Sequence, residues 1–383
     1  MRDASSIEQE FIAHCVEFAS VVIAPRYREF DAGNSFPAEI HEAAHEWKLM
    51  NAGFPVELGG QGIKLAILAC AGIEMARVCA PTTFSLVFNH GSLRPVLRAG
   101  TEWQKQVFVR DIIENRSYAS WCMTEAEVSG SNLMGIQSRA QKVTGGWNLK
   151  GAKVMIGNGT VASLFLLLAD AWDGDKRLGL TVFAVPVGPG VVVGDNRQKL
   201  GFCCLPTPDV VFNDVFVGDD HVIGSPGDAV PILLDSLDYM RLGGGIITAG
   251  ITAGALDDVM PWVEKREVYG GGRLSDESHV QVQVGRLLAQ LTGLRMLVDE
   301  VASRIDLGEN VAAKAASVKL VGSELAMRAT EVVMQLYGWR GIDASFNIEK
   351  RFRDARQTPI FEGTNEILAM NLFRQRLQQE RGN

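Results

Sequence analysis

The sequence predicts an α+β protein of several domains, in which a β-rich unit lies between two helical units. The chain has 383 residues, which is more than one hydrophobic core usually covers. Apolar residues recur at helical spacing in the first and last thirds, as in amphipathic helices. Short β-prone runs, separated by turns rich in glycine and proline, lie between them. We therefore expect domains at residues 1–117, 118–224 and 225–383.

The N-terminal third has the pattern of a helical domain. Apolar residues recur every three or four positions in three segments, residues 7–23, 66–80 and 102–114. In the first segment, the residues expected near one face of a helix are Ile7, Phe11, Val16 and Ala19.

The remaining two thirds predict strands and then long helices. The β-prone runs lie at residues 164–171, 180–187 and 209–218. The apolar stripes of the helices are Leu287, Leu291, Leu294, Val298, Val301 and Ile305, and then Val311, Ala315, Val318, Leu325, Ala329, Val332 and Leu336. Gly338 is expected to end the second of these helices. Residues 241–260 are rich in small side chains, which would permit close approach of a neighbouring helix or a ligand.

Composition excludes several classes of protein. The net charge of −8 argues against a nucleic-acid surface. No run of 18 apolar residues is present, so we expect no membrane span. The six cysteines show no C-x-x-C pairing, and the N-terminus has no apolar signal core, which favours reduced thiols in the cytoplasm.

The segment "HEAAH" at residues 41–45 matches the H-E-x-x-H pattern of zinc metalloproteases. Two histidines four positions apart share a face of a helix, and the glutamate between them could act as a base. The other four histidines of the chain do not complete the extended pattern that supplies a third ligand. We therefore expect no metal site and place the pair on a solvated helix face.

Six stretches carry the motifs of a known family. They lie at residues 120–132, 149–159, 199–217, 265–270, 334–341 and 353–367. Two of them read "SWCMTEAEVSGSN" and "RDARQTPIFEGTNEI". Together they resemble the acyl-CoA dehydrogenase family of flavoproteins over nearly the whole chain. The resemblance implies an N-terminal α-helical domain, a middle β-barrel or sandwich domain, a C-terminal four-helix bundle, and FAD as the cofactor.

In "PIFEGTNEIL" the resemblance makes Glu362 the general base. A thioester acidifies the protons on its α-carbon, and a carboxylate in an apolar pocket can remove one of them. Burial raises the pKa of such a carboxylate toward the working pH. Without the resemblance, Glu362 would be an ordinary turn residue before a helix that Thr364 caps.

The resemblance also implies binding residues for the cofactor and the substrate. Those implied for FAD are Met123, Thr124, Ser131, Met155, Gly157, Arg266, Tyr269, Gln335, Gly338, Thr364 and Glu366. Those implied for the acyl thioester are Asp238, Arg241 and Gly363. In the family the arginine matched by Arg266 reaches the diphosphate of a neighbouring subunit's FAD, so a dimer or tetramer is expected. A guanidinium fork suits the paired oxygens of a diphosphate.

Five positions depart from the family pattern, the first being Ala126, which replaces a proline. Met155 replaces an aromatic residue that covers the flavin, and Gly157 replaces a hydroxyl residue beside it. Trp339 replaces a glycine, and Pro261 is expected to interrupt a helix that usually continues. Because only a hydroxyl is missing at Gly157, a serine or threonine is expected to be tolerated there.

The leading hypothesis is an FAD-dependent enzyme that desaturates an acyl-CoA thioester, with an electron-transfer flavoprotein as acceptor. An alternative is a dehydrogenase for acyl chains carried on a carrier protein, as in a specialised biosynthetic pathway. A third hypothesis is a flavin-binding relative without catalytic activity. The sequence leaves the length and branching of the acyl chain open.

Overall fold

The computed structural model describes residues 6–382. The N-terminal part is helical, as the apolar spacing predicted. Its helices are α1 (Ser6–Phe18), α2 (Tyr27–Gly33), α3 (Ala38–Glu46), α4 (Leu65–Ser92), α5 (Arg94–Ala99), α6 (Glu102–Gln104) and α7 (Asp111–Glu114). Short π-helical turns extend α1 over Ala19–Ile23 and α6 over Lys105–Arg110.

The buried face of α1 differs from the predicted one. Cys15, Phe18 and Ala19 are buried, whereas Val16 is 44% exposed. Val16 lies five positions after Phe11, which is about 140° around a helix, so the two cannot share a narrow face. The placement of Val16 on the core side was therefore wrong. The side chain of Ile7 lies outside the described part of the structure.

The middle part forms one eight-stranded sheet within residues 118–223, so the predicted β domain is confirmed. Its strands are β1 (Tyr118–Cys122), β2 (Arg139–Val143), β3 (Gly146–Lys153), β4 (Ala162–Asp173), β5 (Lys176–Pro186), β6 (Val191–Val193), β7 (Val210–Gly218) and β8 (Val222–Ile223). The strand order is β6-β7-β3-β2-β4-β5-β8, and β1 pairs with β4 in parallel. The sheet therefore carries β1, and the loop that follows it, next to the buried central strand β4.

The C-terminal part is helical again. Its helices are α8 (Ala229–Lys265), α9 (Ser278–Asp306), α10 (Ala312–Tyr337), α11 (Ile348–Ala355) and α12 (Asn365–Gly382). Gly338, with a φ of +61°, follows the last residue of α10, as predicted. The small residues of α8 serve helix packing, because a Cβ on Gly245 would lie 1.9 Å from Val318 Cγ1 of α10.

Pro261 does not interrupt α8, contrary to expectation. The helix continues four residues further, to Lys265. A proline removes one hydrogen bond to the preceding turn. This loss is tolerated near the end of a helix whose last turn is still packed, and Val263 is 4% exposed.

The long helix α4 lies inside the protein. The stretch Leu65–Ala99 is long and apolar enough to cross a membrane, but 56% of its most apolar window is buried against other elements. Composition alone does not distinguish such a helix from the core helix of a globular protein. α4 bends at Cys79, whose φ of −148° and ψ of 102° are not helical, two residues before Pro81.

A buried ionic cluster joins the three parts of the chain. Lys350 of α11 donates to Asp354 at 2.5 Å, lies 3.7 Å from Asp31 of α2 and contacts Cys79 Sγ at 3.8 Å. Asp354 also accepts a hydrogen bond from the backbone N–H of Phe202 at 2.7 Å. Phe202 lies in the loop between β6 and β7. Burial lowers the pKa of Lys350, but the charges of Asp354, Cys79 and Asp31 outweigh it and raise the pKa well above its ordinary value.

Candidate active site

Glu362 lies in the turn between α11 and α12, with a backbone that few residues adopt. Its φ is +55°, and the next residue, Gly363, has a φ of +91°. A left-handed conformation costs a residue with a Cβ about 1 kcal/mol or more. Such a conformation therefore needs support from the surrounding structure.

Two basic side chains from neighbouring helices support this turn. Arg241 of α8 donates from Nε to the Glu362 carbonyl oxygen at 3.4 Å, and its Nη1 pairs with Asp238 Oδ1 at 2.8 Å. Lys319 of α10 donates to the carbonyl oxygen of Gly363 at 2.7 Å. The predicted residues Asp238, Arg241, Glu362 and Gly363 are thus brought together.

The electrostatics of Glu362 suit a base that works near neutral pH. Burial raises its pKa to about 7, although the charges of Arg241 and Lys319 act in the opposite direction. The residue as a whole, including its backbone, is half-buried. Burial also raises the pKa of Asp238, and Arg241 opposes it.

An aromatic wall borders the turn on the side of α4. Phe361 stacks on Phe84 with ring centroids 5.5 Å apart, and lies 5.8 Å from the ring of Phe202. Phe84 in turn meets the ring of Phe88 edge-on at 5.6 Å. This wall links the turn of the base to the loops of the middle domain.

The residues predicted to hold the flavin ring lie in two adjoining loops. The carbonyl oxygen of Thr124, next to Met123, accepts from Val154 N at 2.9 Å, which joins the loop after β1 to the loop after β3. In the second loop Met155 is 46% exposed with a φ of +59°. Gly157 is buried, and its carbonyl oxygen accepts from Ser120 Oγ at 2.7 Å.

These loops fit an FAD ring. The indole Nε1 of Trp121, two residues before Met123, is buried without a partner among residues 6–382. The exposed Met155 side chain offers apolar contact, and the half-buried Thr124 offers a hydroxyl. Neutral donors and apolar surface suit an uncharged flavin ring, whose carbonyl oxygens and N1 and N5 accept hydrogen bonds.

Three further predicted FAD residues lie near these elements. Ser131 is exposed, and its backbone N–H donates to Ser129 Oγ at 3.4 Å. Thr364 directly follows the turn of the base and is half-buried. Glu366, in the first turn of α12, is exposed, and hydrogen bonds from its own backbone N–H and from the Thr364 hydroxyl lower its pKa.

The other four predicted FAD residues form a separate exposed group at the far end of α8 and α10. They are Arg266, Tyr269, Gln335 and Gly338. Trp262 joins the two helix ends, because its Nε1 donates to Leu336 O at 2.8 Å and its ring lies under the guanidinium of Arg266. Twenty-five residues of helix separate Arg266 from Arg241, which is about 37 Å at 1.5 Å per residue. This group therefore does not join Glu362 within one chain.

Trp339 lies in this exposed group and is 59% exposed. Its ring meets the guanidinium of Arg340 at 4.5 Å and the ring of Phe346 at 5.5 Å. The large side chain therefore enlarges an open aromatic surface there and lies away from the base.

The histidine pair of residues 41–45 has a structural role. His41 is 1% exposed, so the predicted solvated face is wrong for this residue. Its two ring nitrogens bond Tyr118 Oη at 2.8 Å and Ser85 Oγ at 3.0 Å. Burial lowers its pKa to about 3, so the ring is neutral. Within the described residues no group of three or more possible metal ligands is found.

Family models match all three domains of the chain. The model for the acyl-CoA dehydrogenase N-terminal domain matches residues 5–116, the middle-domain model matches residues 120–215, and the C-terminal-domain model matches residues 230–377. The chain belongs to the acyl-CoA dehydrogenase family. The family and the three-domain fold predicted from the sequence are thereby confirmed.

Individual relatives agree over almost the whole chain. The probable acyl-CoA dehydrogenase FadE25 of Mycobacterium tuberculosis is 32% identical over 350 residues, which span 90% of this chain and 89% of the relative. The mitochondrial short-chain specific acyl-CoA dehydrogenase of Bos taurus is 30% identical over 355 residues, spanning 92% and 86%. The structure of butyryl-CoA dehydrogenase from Megasphaera elsdenii matches with a TM-score of 0.93 at 26% identity, covering 98% of this chain and 100% of that one. These likenesses confirm the assignment to the FAD-dependent oxidoreductases.

Sequence reasoning missed two residues of the site. Lys319 left a weak signal, a lysine inside the apolar stripe of α10 and next to Val318. Phe88 gave no signal in the sequence, because its role depends on a contact with Gly157, which is distant in the chain. A Cβ on Gly157 would lie 2.5 Å from the Phe88 ring, so Phe88 fills the space that a side chain at position 157 would need.

This contact reverses the expectation for Gly157. Gly157→Thr is now expected to destabilise the protein by about 1–3 kcal/mol, because the added side chain overpacks against Phe88. In the double variant Phe88→Ala, Gly157→Thr, the second change should cost less than it does alone. A double-mutant cycle on the free energy of unfolding measures this coupling. Additive effects would contradict the contact.

Proposed function

We propose that the protein removes two hydrogens from the α- and β-carbons of an acyl-CoA thioester, with Glu362 as the base. The observation that carries the proposal is a carboxyl group with a pKa of about 7, held on a strained turn beside loops that fit a flavin. FAD, when bound, supplies the acceptor for the β-hydrogen and its electron pair. A base is most effective when its pKa lies near the working pH.

The residues around Glu362 have separate tasks in this proposal. Glu362 takes the α-proton on a carboxylate oxygen, which becomes possible once it is ionised. The ion pair of Arg241 and Asp238, whose side chains are 12% and 16% exposed, supports the turn, because Arg241 also donates to the Glu362 carbonyl oxygen. Phe84, Phe88 and Phe361 exclude water from the apolar side of the site, which strengthens electrostatic interactions there.

The substrate is proposed to be a coenzyme A thioester. The relatives and the butyryl-CoA dehydrogenase structure carry this substrate class in their names. A carrier-protein thioester is the second candidate, since the prolyl acyl carrier protein oxidase AnaB shares the fold with a TM-score of 0.91 at 20% identity. The acceptor is proposed to be an electron-transfer flavoprotein, and the location to be the cytoplasm.

The assembly is proposed to be a homo-oligomer in which Arg266 completes the FAD site of a second copy. Arg266 lies about 37 Å along α8 from Arg241, too far to serve the FAD beside Glu362 of its own chain from that position. Its surroundings, with Tyr269 fully exposed and Ile342 73% exposed, suit contact with another chain.

Arg266→Ala is expected to weaken both FAD retention and assembly, because one cation would serve the diphosphate and the contact between chains. The ratio of FAD to protein after gel filtration and the molar mass from light scattering measure the two effects. Arg286→Ala, at an exposed position on α9, is the matched control and should change neither. A monomer with full FAD occupancy would contradict the shared site.

The proposed activity is tested with purified protein and FAD. We expect one FAD per chain and the absorption spectrum of an oxidised flavin, which acyl-CoA thioesters then bleach in the absence of oxygen. Bleaching by acyl-carrier-protein thioesters alone would favour the second candidate. Protein that stays colourless in excess FAD would overturn the proposal.

A further inference from the structure

A lysine is buried where the proposed chemistry takes place. Lys319 is 1% exposed, although moving an ammonium group out of water costs several kcal/mol unless it is well paired. Its Nζ donates to Gly363 O at 2.7 Å and to Asn365 Oδ1 at 2.9 Å. Gly363 belongs to the turn of Glu362 and Asn365 is the first residue of α12, so the ammonium group joins the turn to the start of that helix.

The hydrogen bonds of Lys319 stabilise the strained backbone of the turn. Glu362 and Gly363 both have positive φ, and this conformation persists only when its surroundings hold it. Ser323, four residues after Lys319 on α10, donates to Asn365 Oδ1 at 3.0 Å. Together they fix the turn to one face of α10.

The neighbouring helix leaves space for this arrangement. A Cβ on Gly244 of α8 would lie 3.3 Å from Lys319 Cγ and 3.4 Å from the Phe361 ring. The distance to Lys319 Cγ is tighter than an ordinary Cβ contact, so a glycine at position 244 leaves the space that the lysine stem occupies. The stem of Lys319 therefore packs closely against Gly244 of α8.

We propose that Lys319 is a positioning residue for the base: its buried ammonium holds residues 362–365 against α10 and places a fixed positive charge near the Glu362 carboxylate. This inference rests on the proposed function of Glu362. It adds a residue outside the sequence motifs, on a helix that the predicted catalytic turn does not include.

The charges around Glu362 give the expected direction of the effect. The basic groups facing it are Arg241 from α8 and Lys319 from α10, and the acidic ones nearby are Asp238, paired with Arg241, and Glu366 from α12. Burial lowers the pKa of Lys319 to about 8, so the ammonium persists through the range in which Glu362 ionises. Removing this positive charge makes the carboxylate less favourable and raises the pKa of Glu362.

The test compares wild type with Lys319→Met and Lys319→Gln in the FAD-loaded protein. Glutamine keeps a donor for the Gly363 carbonyl without the charge. If the Lys319→Met variant does not fold, the comparison is made with Lys319→Gln alone. The rate of α-proton exchange into deuterated water is followed against pH, with an acyl-CoA whose β-carbon is replaced by sulfur. Both variants should move the midpoint of this profile upward by about one pH unit, as expected for the loss of a nearby opposite charge.

Lys314→Met is the matched control, because Lys314 lies on the same helix and pairs with Glu300 at the surface. It should leave the midpoint unchanged. An unchanged midpoint in both Lys319 variants, with circular dichroism spectra like wild type, would overturn the inference.

A second readout separates this inference from the proposed function. The ionisation of Glu362 can be followed by difference infrared spectroscopy against Glu362→Gln, without any turnover. If wild type shows no α-proton exchange, the proposed function fails, but a Glu362 midpoint that rises in the Lys319 variants still supports the positioning role. A Glu362 midpoint that stays unchanged contradicts it.

Discussion

Glu362→Gln is expected to slow α-proton removal by at least about 10²–10⁴-fold, the usual contribution of a positioned general base. Glutamine keeps the shape and hydrogen bonding of the side chain but cannot accept a proton. Binding of FAD and of the acyl thioester should remain close to wild type, since Arg241, Lys319 and the loops of the middle domain are unchanged. The measurement is the rate of α-proton exchange with the sulfur-substituted thioester.

Glu300→Gln, at an exposed position on α9, is the control for a charge change of the same kind. It should exchange the α-proton at the wild-type rate. A Glu362→Gln variant with near-normal exchange would place the base elsewhere and contradict the account of the turn.

The pH dependence follows from the direction of the pKa shift. Burial raises the pKa of Glu362 from 4.5 to about 7, and the working form is the carboxylate. Activity should therefore fade as pH falls through about 7. A folded-state pKa above the unfolded value favours the protonated native state, so this contribution to stability is lost as pH rises through about 7. Glu362→Gln should consequently lose less stability than wild type between pH 4.5 and about pH 7, the window set by the unfolded and folded pKa values.

Lys350→Met is expected to lower the free energy of unfolding by about 3–5 kcal/mol, the usual cost of removing one partner from a buried ion pair. Lys350 and Asp354 have side chains that are 3% exposed, so Asp354 would be left as an uncompensated buried charge. Asp31, 8% exposed, would lose a partner as well, although Arg353 still binds it at 2.8 Å. Urea unfolding followed by circular dichroism measures the effect.

Lys314→Met again provides the surface control, with an expected cost of at most about 1 kcal/mol. The cluster joins α2, α4, α11 and the loop at Phe202, so its loss should also loosen the packing between the domains. Equal urea midpoints of unfolding for Lys350→Met and Lys314→Met would show that the buried cluster contributes no more to stability than a surface ion pair.

The sequence predicted the parts of the site that depend on local motifs. "FEGTNEI" located Glu362, and the D-x-x-R spacing placed Asp238 and Arg241 one turn apart on α8, where they do form an ion pair. The order of helical and β regions followed from periodicity, because each region extends over many residues. The structure then brought these local features to one place.

The parts that depend on distant contacts could not be predicted. Phe88 and Gly157 are 69 positions apart, and only the fold shows that one fills the space of the other. Lys319 was missed, and His41 was wrongly placed on a solvated face, for the same reason. A polar residue on a helix is usually solvated, but both of these side chains bind partners from other elements inside the protein.

We expect the FAD-loaded protein to desaturate an acyl-CoA thioester through Glu362. The most direct measurement mixes this protein, without oxygen, with a series of saturated acyl-CoA thioesters, follows the flavin absorbance and identifies the product by mass spectrometry. At least one thioester should bleach the flavin and yield a product two hydrogens lighter with an α,β double bond, while Glu362→Gln should yield almost none. Stoichiometric FAD that no saturated thioester reduces, whether on CoA or on a carrier protein, would contradict this expectation.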